Sequence, residues 1–173
     1  IREESKVHGD HIHEGGVEPH IWNSCRNARL IAQNICQTLC QLDSIHTDYY
    51  RNRLDSLNLV IDNTEHEVRN YLSHADSTFL IYHPALSYFA RDYGLTQISI
   101  EEGGKEPSPA HLKALIEQSG HKKARIIFVQ QEFDTRNAEL IAREAQLQIV
   151  PINPLSYHWN EEMKNVARAL QQP

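Results

Sequence analysis

The chain has 173 residues, 40% of them hydrophobic and 23% charged, and a formal net charge of −6. That balance describes an ordinary globular protein of one domain, or one domain and part of another. It excludes a nucleic-acid binder working through a basic stripe, and no apolar run approaches the roughly 20 residues that a membrane-spanning helix needs.

The sequence opens at Ile1 with neither an initiator Met nor a signal peptide, so it is expected to be a processed or excised piece of something longer. The first stretch with chemistry in it is His8–Trp22, HGDHIHEGGVEPHIW. His8, His11, His13 and His20 alternate there with Asp10, Glu14 and Glu18 among glycines and a proline. Imidazole nitrogens and carboxylates are the donors that a borderline-soft divalent ion such as zinc takes. His8, His11 and His13 read either as a solvated polar loop or as a mobile accessory loop that collects metal. His20 differs, because Pro19 and Trp22 can hold its imidazole in one place at the entrance to a helix. It is expected to be a metal ligand.

From Asn23 to His83 there is neither glycine nor proline. Leu30, Ile31, Ile35, Leu39 and Leu42 recur at helical spacing and predict a first amphipathic helix. Cys36 and Cys40 lie one turn apart on it, where a disulfide is awkward. They read as small buried apolar residues or as a metal pair, and with Cys25 left over they define no disulfide framework. Asp43 or Ser44 is expected to cap a second helix running along Ile45, Tyr49, Leu57, Ile61, Val68 and Leu72. At about 30 residues, roughly 45 Å, that helix is long enough to be a spine joining two parts.

Beyond Asp76 strands and helices alternate. Strands are predicted at Thr78–Tyr82, Leu95–Ile100, Ala124–Gln130 and Leu147–Ile152. Helices are predicted at Ala85–Tyr93, closed by Gly94, at Pro109–Gln118, ending near Gly120, at Thr135–Ala145 and at Trp159–Leu170. This pattern implies an α/β lobe with a four-stranded, mainly parallel sheet. Ligands of such sheets bind beyond the carboxyl ends of the strands, where the sequence places His83, Glu101, Glu102, Gln131, Glu132 and Asn153.

On these residues the chain resembles the zinc- and manganese-type periplasmic solute-binding proteins of ABC importers, a group that includes zinc-binding lipoproteins and adhesins. The segments that carry the resemblance are EPHIWNSCRNARLIAQNI, TDYYRNRLDSL, IYHPALSYFARDYGL, EGGKEPSPAHLKALIE and IIFVQQEF with AELIAREA. The resemblance implies two α/β lobes joined by a long rigid helix, with the metal in the cleft. On that reading residues 1–42 are the end of the first lobe with the His-rich loop, 43–76 the linking helix and 77–173 the second lobe. It implies zinc capture outside the cytoplasmic membrane, in the periplasm or lipid-anchored on the outer face, and delivery to a membrane permease.

The family's Asp-Pro-His-x-Trp stands here as Glu18-Pro19-His20-Ile21-Trp22, and its strand-end ligand falls on His83. A His in place of the Glu of manganese-type relatives favours zinc over manganese. The family's Asp in Leu-Asp-Pro-Leu is replaced by Asn153, whose neutral oxygen is a poor ligand for zinc. Asn153 and Glu132 are therefore candidates for the fourth position or for hydrogen-bonding support behind the ligands. A further His ligand is expected upstream of Ile1.

Two other readings stand beside this one. A zinc-dependent hydrolase would use His20, His83 and Glu132 as general base, yet the sequence has no HExxH or GxSxG. A structural or adhesive domain would carry its His tract incidentally. Capture without catalysis is the expectation.

Overall fold

The computed structural model describes residues 1, 6–8, 11–13, 17–102, 105–122, 124–133 and 135–171, the side chains of 6–8 and 11–13 excepted. Near the start, β1 (Lys6–His8) pairs antiparallel with β2 (His11–His13), with His8 opposite His11 and Lys6 opposite His13. The stretch expected to be a loop thus contains two short paired strands. The side chains of His8, His11 and His13, and all of residues 9–10 and 14–16, lie outside the described residues.

Helix α1 (Cys25–Leu42) is opened by Ser24, whose hydroxyl accepts the Asn27 N–H at 3.0 Å. The residues it buries are Cys25, Ala32 and Cys36, a stripe of small side chains that lies along the next helix. Leu30, Ile35, Leu39 and Leu42, which made the helix legible in the sequence, face outward.

The expected capping of the second helix by Asp43 or Ser44 is not what forms. Asp43 instead accepts hydrogen bonds from the Tyr50 hydroxyl and from His46 Nδ1, each at 2.8 Å. Those two bonds hold its carboxyl below the usual carboxylate range. Ser44–His46 becomes a single 3-10 turn, and α2 (Thr47–Leu72) begins after it without a side-chain cap. The helix has 26 residues, about 39 Å. It buries Ile61, Thr64 and Val68 in its C-terminal half, where it packs along α1 and the last helix. Ile45, Tyr49 and Leu57 are exposed.

The α/β part contains β3 (Thr78–Ile81), α3 (Ser87–Tyr93), β4 (Thr96–Ser99), α4 (Pro109–His121), β5 (Ile126–Gln130), α5 (Arg136–Ala145), β6 (Gln148–Ile152) and α6 (Trp159–Leu170). Helix α4 continues through Gly120 to His121 instead of stopping before it. A glycine in the last turn interrupts little, because few intrahelical bonds lie beyond it. All four strands run parallel in the order β4-β3-β5-β6. Pro151 lies in β6, at an edge of the sheet, where a strand tolerates the missing N–H.

Successive side chains of a strand point to opposite faces, and the two central strands show it. Phe79 and Ile81 of β3, with Ile126 and Phe128 of β5, join a core with α2, α3 and α6. Leu80 and Tyr82, with Ile127 and Val129, join a second core under α4 and α5. Helix α3 after β3 and helix α5 after β5 therefore cover opposite faces. The carboxyl ends of these neighbouring strands form the point where the chain diverges, the place where ligands of open α/β sheets bind.

Gly94 closes α3 in the left-handed conformation (φ +68°), donating its N–H to the Ala90 carbonyl. A Cβ there would meet no atom within 4 Å, so only backbone strain opposes a larger residue. Gly94→Ala should cost about 1 kcal/mol, read as a lower urea midpoint with an unchanged slope. Gln146 adopts the same conformation after α5 (φ 57°), which shows that the fold tolerates that strain at a helix end.

Candidate metal centre

Two imidazoles meet at the divergence point. His83 follows β3 directly. Its backbone is gripped by Gln130 at the end of β5, whose side-chain amide donates to the His83 carbonyl at 2.7 Å and accepts the His83 N–H at 3.3 Å. Gln130 is buried, so it spends its hydrogen-bonding capacity on fixing this one residue. The His83 ring stacks on Phe133, with centroids 5.5 Å apart and planes 16° apart. Its Nδ1 bonds Glu101 at 2.8 Å.

His20 arrives from the other side, on the short segment before α1. Trp22 anchors that segment to the β6–α6 connection: its indole N–H donates to the Pro154 carbonyl at 2.9 Å, and its own carbonyl accepts the Trp159 indole N–H at 2.9 Å. Glu18 supports the His20 ring through Nδ1 and accepts the His20 backbone N–H at 2.9 Å. Its second carboxylate oxygen accepts the Ser87 hydroxyl at 3.2 Å.

Glu18 and Glu101 are only 2% and 8% exposed. Buried carboxylates persist where they are hydrogen-bonded, and here both are turned on imidazole Nδ1 atoms. Each imidazole that donates Nδ1–H to its carboxylate keeps a bare lone pair on Nε2. These two Nε2 atoms face each other at 3.1 Å. Two nitrogens bound to one tetrahedral zinc at 2.0–2.1 Å stand about 3.3 Å apart, so the pair has the spacing of two ligands of one ion.

Among the described residues, no group of three or more His, Cys, Asp or Glu side chains is placed to hold a metal by itself. Glu132 is exposed on the turn after β5. The Asn153 side-chain oxygen accepts the Leu155 N–H at 3.1 Å, and its backbone N–H donates to Glu162 at 2.8 Å. Asn153 thereby shapes the turn whose Pro154 carbonyl holds Trp22. The structure brings His20, His83 and Glu101 together with Glu18, Gln130 and Phe133, whose parts the sequence reading did not assign. A polar Gln closing an otherwise apolar strand, IIFVQ, was the available signal for Gln130.

An imidazole pair backed by buried carboxylates, at the carboxyl edge of a parallel sheet, makes this α/β chain a candidate for holding a divalent metal ion. The chain belongs to the ZnuA family, zinc-uptake complex component A, periplasmic, which matches residues 1–172. It is 28% identical to the zinc-binding lipoprotein AdcA of Streptococcus pneumoniae, over 91% of this chain and 32% of that protein. A crystal structure of ZnuA superposes with a TM-score of 0.84 at 33% identity, covering 88% of this chain and 60% of that one. The laminin-binding protein Lmb of Streptococcus agalactiae, described as a bifunctional protein with adhesin and metal-transporting activity, superposes with a TM-score of 0.79 at 25% identity over 88% of this chain and 63% of that one. The chain thus spans about a third of that curated relative and under two thirds of these solved ones. Among the described residues, no helix is long and apolar enough to cross a membrane.

Proposed function

We propose that this chain supplies half of a zinc-capture site, with His20 and His83 as ligands, in a solute-binding protein that hands the ion to the permease of an ABC importer. The facing Nε2 atoms, 3.1 Å apart with both Nδ1 atoms tied to carboxylates, carry the reading. Imidazole nitrogen suits zinc better than manganese, which favours carboxylate oxygen. The remaining donors come from outside the described residues, with Asn153 and Glu132 as neighbours to the shell. Residues 1–42 then belong to a first lobe, 43–76 to the linking helix and 77–173 to the second lobe. The whole works in the periplasm or on the outer face of the membrane.

The reading is of binding without catalysis. Both carboxylates at the imidazole pair are committed to orienting rings, which leaves neither as a general base beside the ion. The relatives named above are binding and transport proteins, in line with cargo capture.

The test is chelator competition for zinc in the intact protein carrying Glu101→Gln. The amide keeps the shape but loses the negative charge that holds the His83 ring through Nδ1, and such supporting partners are worth about 10–100-fold in metal affinity. A loss in that range is expected. An affinity equal to the parent's would remove His83 from the ligand set.

A further inference from the structure

Helix α1 brings together a second set of metal-ligating atoms. Cys36 and Cys40, one turn apart, place their Sγ atoms 3.9 Å from each other. Both are free thiols, Cys36 buried and Cys40 partly exposed. A disulfide would need the sulfurs about 2.05 Å apart. Two thiolates on one tetrahedral ion with 2.3 Å metal–sulfur bonds stand about 3.8 Å apart. The observed spacing is that of two thiols in contact, close enough for both sulfurs to reach one ion.

The pair is also held in place. Cys40 Sγ lies 3.9 Å from the Thr47 carbonyl oxygen, where the chain returns after the turn between α1 and α2. That turn is clamped by Asp43 through Tyr50 and His46, so the corner fixes the surroundings of the Cys40 side chain. Cys36 and Cys40 sit about 16 and 22 Å along α1 from its first residue, well away from the imidazoles that precede the helix.

The surroundings select the kind of ion. Leu39, Leu42 and Tyr49, close by in sequence on α1 and α2, are exposed apolar groups. Burial, then the neighbouring Cys40, push the Cys36 thiol above its ordinary range. An ion that joins the pair must form strong bonds to sulfur to displace the thiol protons. Soft cations do this, and hard or well-hydrated ones do not.

We propose that Cys36 and Cys40 form a second metal site, on α1, that takes a soft d10 cation of the monovalent-copper or cadmium class. On binding, the two S–H groups release their protons to solvent and two metal–sulfur bonds form. No oxidation state changes. Water or an added thiol fills the remaining positions.

The experiment is a titration of reduced, metal-free protein with cadmium, followed by the ultraviolet thiolate-to-cadmium charge-transfer band. The band should reach the same full amplitude in the parent, in Cys25→Ala and in His20→Ala. Cys36→Ala and Cys40→Ala should each weaken cadmium binding at least tenfold, and the double variant should show no band. Alanine is the strongest helix former, so both variants keep α1, as far-ultraviolet circular dichroism will verify. A parent without the band, a band that survives in the double variant, or its loss in Cys25→Ala would each overturn the assignment.

Discussion

Replacing His83 by Ala in the intact protein should weaken zinc binding by about a hundredfold or more, about 2.7 kcal/mol, as read by competition with a chelator. The variant removes one of two facing Nε2 donors and leaves the other without a geometry to complete. It has a second consequence. Glu101, 8% exposed, loses the imidazole that its carboxylate holds at 2.8 Å, and an unsatisfied buried acceptor costs about 1–3 kcal/mol. His83→Ala should therefore also unfold earlier in urea without metal. Adding Glu101→Gln removes the stranded charge and should recover part of that stability while zinc stays lost. His20→Ala separates the effects from the other side. Glu18 keeps the His20 backbone N–H and the Ser87 hydroxyl, so affinity should fall as far with a smaller stability loss. Unchanged zinc affinity in both single variants would dismantle the proposed site.

The sequence made the α/β alternation legible because the central strands Thr78–Ile81 and Ile126–Gln130 are short apolar runs and several helices have a clear start or stop. Gly94 after Tyr93 is one such signal, and it closes α3 in the left-handed conformation. The first two helices were legible as helices but not in their facing. Leu30, Ile35 and Leu39 have the right period, yet Cys25, Ala32 and Cys36 are what α1 buries. Periodicity finds a helix and its apolar stripe, and it does not say which stripe a neighbour covers. The start of α2 was misplaced for a related reason: Asp43 has the chemistry of a cap, but Tyr50 and His46 take its carboxylate into the turn.

At the centre, the sequence could mark His20 and His83 because one follows a proline and the other ends a strand. It could not show that residues 63 positions apart point their Nε2 atoms at each other. That depends on Trp22 reaching Pro154 and on Gln130 gripping His83. Both contacts are long-range and leave no periodic trace.

Phe128→Ala should destabilise the metal-free protein by about 3–5 kcal/mol, a large share of the 5–15 kcal/mol typical of a folded domain. Phe128 is fully buried on β5 and meets Phe79 of β3 edge-to-face, with centroids 5.3 Å apart and planes 70° apart. Truncation empties the middle of the core shared with α2, α3 and α6, and close-packed surroundings relax only partly into such a gap. The expected result is a lower urea midpoint with little change in slope. Ile35→Ala is the control. Ile35 is 55% exposed on α1, and its truncation should move stability by no more than about 0.5 kcal/mol. The larger effect bears on function through folding alone. Phe128 lies two residues before Gln130 on the strand that holds His83, so zinc should shift the variant back toward the folded state by mass action. Its melting temperature should therefore rise with added zinc more steeply than that of a His83→Ala variant. A Phe128→Ala protein within about 1 kcal/mol of the parent would mean that this core face carries far less of the fold than its packing implies.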